Sequence, residues 1–317
     1  SWLALRQVDL PRLWELLSGA RLPWAAFMAA LVPLQMALRS KRWALLLDAG
    51  SRSAPEELFK LNFIGAAIDN ILFMRLGELA RALLASRRLS IPLATTLSSI
   101  AVERMLDVAA LLAAFSLAAS LAPDVVPDPV RRAAFALLAT ALGAIAAVAA
   151  AGGPLAPEGF LERALRRWHR LHKVARELSA GAAALRSARS AAPVALLSLA
   201  FWAVDTLFYW SAARCLSLSP ELTYARSMLV VSWAAAGSAL PSVPGAFGSF
   251  EAAVKTIVNS LGVESTRALG YALLSHMVAY VVLTAFGLAF LYKAGISLAE
   301  LRGELARWRT EDGVGAA

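Results

Sequence analysis

Seven ionisable residues, Asp69, Arg75, Glu78, Arg81, Glu103, Arg104 and Asp107, fall within or beside strongly apolar stretches of this 317-residue chain. Guanidinium groups can grip a phosphate through two parallel N–H donors, and carboxylates can balance them or carry a proton. Arg75 and Glu78 are three residues apart, so on a helix they share a face that Arg81 continues. Asn70 and Gly77 bracket the same stretch, which suggests an arginine fork at a chain break with Glu78 as its counter-charge. Glu103 and Asp107 lie one helical turn apart with Arg104 beside them. Burying such a trio without partners costs several kcal/mol per ion. The expected partners are Arg75 or Arg81 for the acids and Glu78 for Arg104. A structural ion-pair lock and the lining of a polar cavity both meet that requirement.

A second polar cluster is Leu240-Pro-Ser-Val-Pro-Gly-Ala-Phe-Gly-Ser-Phe-Glu251. Pro241, Pro244, Gly245 and Gly248 must break a helix there, by ring clash, lost donors and backbone freedom. If a short helix restarts near Gly248, Glu251 sits in its first turn as a cap. The other role for Glu251 is a proton- or cation-accepting carboxylate opposite Glu78. Asp205 is a further acid in mid-span, among Phe201, Trp202, Phe208, Tyr209 and Trp210.

These groups stand in an unusually apolar chain. Hydrophobic residues make up 59%, charged residues 17%, and the mean hydropathy is +0.62. A soluble globule is about a quarter charged, so the class is an all-α polytopic integral membrane protein. Five spans are expected, at about 22–40, 92–121, 132–152, 192–213 and 267–293. Two further apolar stretches, about 57–86 and 223–260, are interrupted in the middle. A broken backbone cannot face lipid with its N–H and C=O groups unsatisfied, so both are expected to be re-entrant hairpins.

Charge supports that topology. Arg39, Lys41, Arg42, Arg52 and Lys60 precede the first hairpin, and Arg81, Arg87 and Arg88 follow it, which places both flanks in the cytoplasm. The loop Pro123–Pro129 is acidic and short, hence outside; 158–190 is strongly basic, hence inside. Arg131 and Arg132 oppose the scheme. The net charge of +9 flanks apolar runs and points to lipid headgroups, not to nucleic acid. The lone Cys215 and the pair His169 and His172 offer no disulfide and no metal spacing. With no nucleotide-binding glycine loop and no catalytic triad, neither a cofactor nor an enzymatic activity is expected.

Landmarks recur in order along the chain: Pro23 and Pro193, Glu56-Glu57 and Glu221, Glu78 and Glu251, Arg104 and His276. The expected architecture is one transmembrane domain over 1–317. It comprises a first repeat at about 22–122, a connecting span and basic helix at about 130–190, and a second repeat at about 191–294. Three spans run from the first to the fourth, so the two repeats would be inverted, as in many secondary transporters with a midplane site. The opening Ser1-Trp-Leu-Ala-Leu-Arg looks like the tail of a preceding hydrophobic helix.

Four ordered motifs carry a resemblance. Arg39-x-x-Arg42-Trp43, Asn70-x-x-x-x-Arg75-x-Gly77-Glu78-x-x-Arg81, Glu103-Arg104-x-x-Asp107 and Pro241-x-x-Pro244-Gly245-x-x-Gly248-x-x-Glu251 resemble the flippase-like membrane family of the lysylphosphatidylglycerol synthase transmembrane region, also called the uncharacterised family 0104. Two positions depart from it: Phe73 stands where the family tends to have Pro, and Ala246 where it often has a second Gly. The family's soluble aminoacyl-transferase domain is absent from this sequence. The resemblance implies handling of an anionic or polyprenyl-phosphate-linked lipid in a bacterial inner membrane, without its synthesis. Asn70, Arg75, Arg81, Arg104 and His276 would then hold the headgroup, and Glu78, Glu103, Asp107 and Glu251 would balance charge or carry a coupling proton. The alternative is a non-transporting subunit that binds a carrier lipid and recruits a soluble enzyme, such as a glycosyltransferase, through 158–190.

Overall fold

The computed structural model describes residues 8–47, 55–72, 76–151, 181–218, 220–239 and 243–295. Among these the chain forms ten α-helices and no strand. They are α1 (Leu10–Ser18), α2 (Leu22–Leu47), α3 (Pro55–Ile71), α4 (Gly77–Leu89), α5 (Leu93–Leu121), α6 (Asp128–Ala151), α7 (Ala188–Cys215), α8 (Tyr224–Ala239), α9 (Ser249–Ser260) and α10 (Ser265–Lys293). Four of them, α2, α6, α7 and α10, are long and apolar enough to cross a bilayer. The fifth expected span, α5, runs for 29 residues and carries the Glu103, Arg104 and Asp107 trio in its middle.

Local chemistry sets the helix starts. Asp9 accepts from the Arg12 N–H to begin α1, with Pro11 in the first turn. Glu264 accepts from the N–H groups of Thr266 and Arg267 at 2.9 and 3.2 Å to begin α10. Those backbone donors hold its carboxyl below the usual range. Asp69, in the last turn of α3, accepts from the Gly77 N–H at 2.7 Å, placing a carboxylate at the N-terminus of α4. Arg87 and Arg88 stand at the opposite end of α4, where the helix dipole favours cations.

The two interrupted stretches do break, α3 from α4 and α8 from α9, and each pair packs together. A Cβ at Gly77 would overlap the Gly65 carbonyl, so α3 and α4 approach as closely as two glycines permit. In the second break a 3-10 turn spans Pro244–Ala246, with Gly245 at φ +70° and Gly248 at φ +89°. Ala246, a non-glycine residue, adopts φ +60°. Pro241 and Phe73 lie outside the described residues.

Helix lengths recur in order: 26, 17, 13 and 29 residues from α2 to α5, then 28, 16, 12 and 29 from α7 to α10. Packing recurs too. The helices α2 and α7 lie along each other; α3 packs on α10, and its counterpart α8 packs on α5. Most of the apolar core is shared among α2, α7, α8, α9 and α10, and a second core gathers around Trp43, Ile64 and Leu84. Large apolar residues such as Leu137, Leu142, Leu199, Val281 and Phe286 remain exposed on the outer faces. Such a surface suits hydrocarbon rather than water.

One expectation fails. The first span does not end at 40 but continues to Leu47, and Arg39 and Arg42 lie on its inner side. Arg42 is fully buried. Arg42, and Arg39 in large part, are therefore drawn into the protein interior instead of standing free as flanking cations.

The left-handed conformation costs a non-glycine residue about 1 kcal/mol or more. Ala246→Gly should therefore raise the melting temperature of the detergent-solubilised protein, by a stability gain of about 1 kcal/mol. Gly245→Ala should lower it, because the added Cβ would lie 2.8 Å from Tyr280 Cε2 at an unfavourable φ. An Ala246→Gly protein that melts like wild type would show that this turn is not held as described.

Candidate functional site

Glu103 is completely buried in the middle of α5, and four guanidinium groups surround it. Arg39 Nε donates to Oε1 at 2.8 Å, and Arg81 Nη2 donates to Oε2 at 3.2 Å. Arg104 Nη2 donates to Oε1 at 3.1 Å, and Arg42 Nη2 lies 3.5 Å from the same oxygen. Asp107, one turn further, pairs with Arg42 at 2.7 Å and with Arg104 at 3.4 Å. Glu78 at the start of α4 completes the set, 3.2 Å from Arg104 Nε. Among the described residues four helix-borne arginines thus face three carboxylates, which leaves one positive charge in excess.

The elements converge by periodicity. On α2, Gln35, Arg39 and Arg42 lie one turn apart and form one polar face. The helix α4 brings Glu78 and Arg81 together at three-residue spacing, and α5 brings Glu103 and Asp107 at four. Arg42 also donates to Ser198 Oγ on α7 at 3.2 Å and lies 5.7 Å from the Phe201 ring centre. Arg81 donates to Asn62 Oδ1 at 2.6 Å and stacks over the Trp43 indole, 4.7 Å from its centre. Asn62 in turn donates to Ser40 Oγ at 2.9 Å, and Trp43 Nε1 donates to Ser99 Oγ at 3.0 Å. Hydrogen bonds to charged and neutral partners thus orient the arginines as well as neutralise them.

Accessibility is graded across the cluster. The side chains of Arg42, Arg81 and Glu103 are 0–2% exposed and form a floor. Arg39 is 18% exposed, and Arg104 and Glu78 reach 38% and 35%, forming a rim. On the floor, the Nε atoms of Arg42 and Arg81 are buried with no hydrogen-bond acceptor. Buried donors of this kind normally have a partner, and each exception needs an explanation. An open cationic rim above underused guanidinium donors can accept an oxyanion.

The other expected residues form a separate group. Glu251 Oε2 accepts from the Gly248 N–H at 2.6 Å, and Oε1 lies 2.6 Å from His276 Nδ1 on α10. The imidazole is packed by Phe247 and Phe250, with ring centres 4.8 and 4.4 Å away. Glu251 therefore caps the restarted helix and also ties it to α10. Asn70 donates to Thr284 Oγ1 at 2.9 Å, joining the end of α3 to α10, and makes no hydrogen bond to the arginine cluster. Tyr280, beside Asn70, lies 5.2 Å from Phe247 between ring centres, so the ends of the two breaks meet through α10. Arg75 lies outside the described residues.

Sequence reasoning paired Arg81 with the α5 acids and Arg104 with Glu78, and both pairs are present. It missed Arg39 and Arg42 as site residues. Their signal was available: an Arg-x-x-Arg-Trp motif puts two cations on one helix face, and the trio on α5 needed more positive charge than α4 could supply.

A family model described as the lysylphosphatidylglycerol synthase TM region matches residues 1–287. The chain belongs to that family, and it is an integral membrane protein with a lipid-related role. No curated protein and no solved structure shows significant similarity to it.

Removing one partner of a buried ion cluster leaves the others uncompensated, at a cost of about 3–5 kcal/mol. Glu103→Gln should lower stability by about that amount, measured by thermal or denaturant unfolding in detergent. Glu78→Gln, at the solvated rim, should change it by less than about 1 kcal/mol. Equal losses from the two variants would contradict the graded burial.

Proposed function

We propose that this protein is a lipid flippase or lipid transporter that takes hold of a phosphate-bearing lipid at the arginine cluster. The observation that carries the reading is the excess guanidinium charge beside an accessible rim, on a floor with unused donors. An anionic phospholipid and a polyprenyl-phosphate-linked lipid share the group this site would recognise, a phosphate oxyanion. Bidentate arginine geometry suits it. The family's association with lysylphosphatidylglycerol supports a lipid ligand, and phosphatidylglycerol derivatives carry a phosphodiester.

In this reading α3–α4 and α8–α9 are re-entrant hairpins, and α2–α5 and α7–α10 are inverted repeats. The matched helix lengths and the reciprocal packing of α3 on α10 and α8 on α5 support both. Inverted repeats with paired broken helices are how many secondary transporters build a site near the midplane. The lipid would enter sideways, its headgroup reaching Arg104 and Arg39 first while the tails stay in hydrocarbon. Displacing Glu78 from Arg104 would free donors for the phosphate, and the buried Arg42–Glu103–Arg81 floor would hold the rim in register. The basic cytoplasmic flanks fit insertion in a bacterial inner membrane. No reaction is assigned to the chain, which moves or binds its lipid without changing it.

Reconstituted vesicles test this directly. Protein-containing vesicles should move a fluorescent anionic phospholipid or polyprenyl-phosphate lipid faster than empty ones. Arg104→Ala should lower that rate by tenfold or more, on the order of 1.4 kcal/mol or more of lost interaction. Arg104→Lys should not restore it, because a point charge cannot reach Glu78, Glu103 and Asp107 together. Protein-containing and empty vesicles with equal rates would end the transport reading. Copurification with a glycosyltransferase, and lipid movement indifferent to Glu78→Gln, would favour a lipid-binding subunit that recruits an enzyme.

A further inference from the structure

Each carboxylate of the arginine cluster has a guanidinium beside it, and Glu251 has His276. Asp205 in the middle of α7 differs. Its hydrogen bond is to a neutral amide, Gln35 Nε2 on α2, at 3.0 Å. Among the described residues no Arg, Lys or His lies within ion-pair distance of it.

The groups facing Asp205 do not supply a positive charge either. Those near enough to act on it electrostatically are Asp107 on α5, Tyr209 on its own helix and Tyr271 on α10. Tyr271 already donates its hydroxyl to the Tyr209 carbonyl at 2.8 Å. One turn earlier on α7, Trp202 has a buried indole N–H without an acceptor. An acid at membrane depth without a counter-ion is expensive and marks a functional site by default. The inexpensive solution is to bind a proton.

Position strengthens the case. Asp205 and Gln35 are 170 residues apart, the same offset that separates Pro23 from Pro193. Their hydrogen bond therefore joins matching positions of the two halves, on the helix pair α2–α7 that is one of the contacts between them. Gln35 also stands on the polar face of α2 that continues through Arg39 to Arg42. Ser198, which accepts from Arg42, is two turns before Asp205 on α7, a rise of about 10 Å.

We propose that Asp205 is a proton-binding site, distinct from the arginine cluster, whose occupancy sets the contact between the two halves at α2–α7. With the proton bound, the carboxyl and the Gln35 amide form a neutral pair that holds α2 against α7. On release, the carboxylate attracts the Trp202 N–H and the arginine face of α2, which shifts the two helices relative to each other. A proton is taken from one side and given to the other, and no covalent bond other than O–H forms or breaks. The coupling step rests on the transport reading above; the proton site does not.

Infrared difference spectroscopy of the full-length protein in lipid reads the site without any transport. Wild type should show the C=O stretch of a protonated carboxyl at neutral pH, lost on alkaline titration. Asp205→Asn, which keeps the Gln35 hydrogen bond, should lack that band, and Asp205→Glu should keep it at a displaced frequency. The same band in Asp205→Asn as in wild type would overturn the proposal. In vesicles with an imposed proton gradient, wild type should move lipid faster than without one, and Asp205→Asn should lose that difference. A gradient response retained in Asp205→Asn would overturn the coupling step. Vesicles in which wild type moves no lipid would sink the transport reading and leave the infrared outcome to decide the proton site alone.

Discussion

The buried Glu103 carboxylate is the constraint around which the first half of the molecule is arranged. A carboxylate at that depth is stable only if cations are brought to it, and no single helix can supply enough of them. Arg39 and Arg42 arrive on α2, Arg81 on α4 and Arg104 on α5 itself. Three helices that otherwise meet through apolar contacts are thereby fixed in rotation and register about one carboxylate. Arginine is suited to the task because it is always charged and its donors are directional, so each partner is held at a defined angle. The surrounding hydrogen bonds from Asn62, Ser40, Ser99 and Ser198 continue that control outward to α3 and α7.

That arrangement also explains why the short helix α4 exists. Arg81 must enter from a direction that neither α2 nor α5 provides, and the Gly65–Gly77 contact lets α4 lie close enough to do so. Asp69 receives the first N–H of α4 and fixes where it begins. The break between α3 and α4 therefore sets the placement of a charge. The break between α8 and α9 is secured differently, by a carboxylate that caps its own helix and meets a histidine on α10. The two breaks share a shape and differ in chemistry.

Much of this was legible in the residues, and what was hidden was hidden for physical reasons. The breaks at Gly77 and at Pro244–Gly248 follow from local backbone rules, so they could be placed before any packing was known. The pairs Arg81–Glu103 and Glu78–Arg104 followed from the cost of burying unpaired charge. Arg39 and Arg42 were misplaced because a positive residue after an apolar run has two meanings, a headgroup anchor or an interior ion. Only the number of buried acids that need partners distinguishes them. Asn70 was grouped with the arginines by its nearness in sequence, yet its side chain turns to Thr284 on a helix more than two hundred residues away. Contacts of that range have no local signature.

The two halves place different chemistry at corresponding points. At the positions of the second half matching Arg104, Glu103 and Arg81, the chain has His276, Ser275 and Val254, all buried. Of these, only His276 is titratable, and it meets Glu251 inside an aromatic shell. Two sets of helices with similar lengths in the same order thus carry an open, positively charged cluster in one and a closed, packed pair in the other. The two sets of helices meet along α2 and α7, joined by the Gln35–Asp205 hydrogen bond, and also where α3 packs on α10 and α8 on α5.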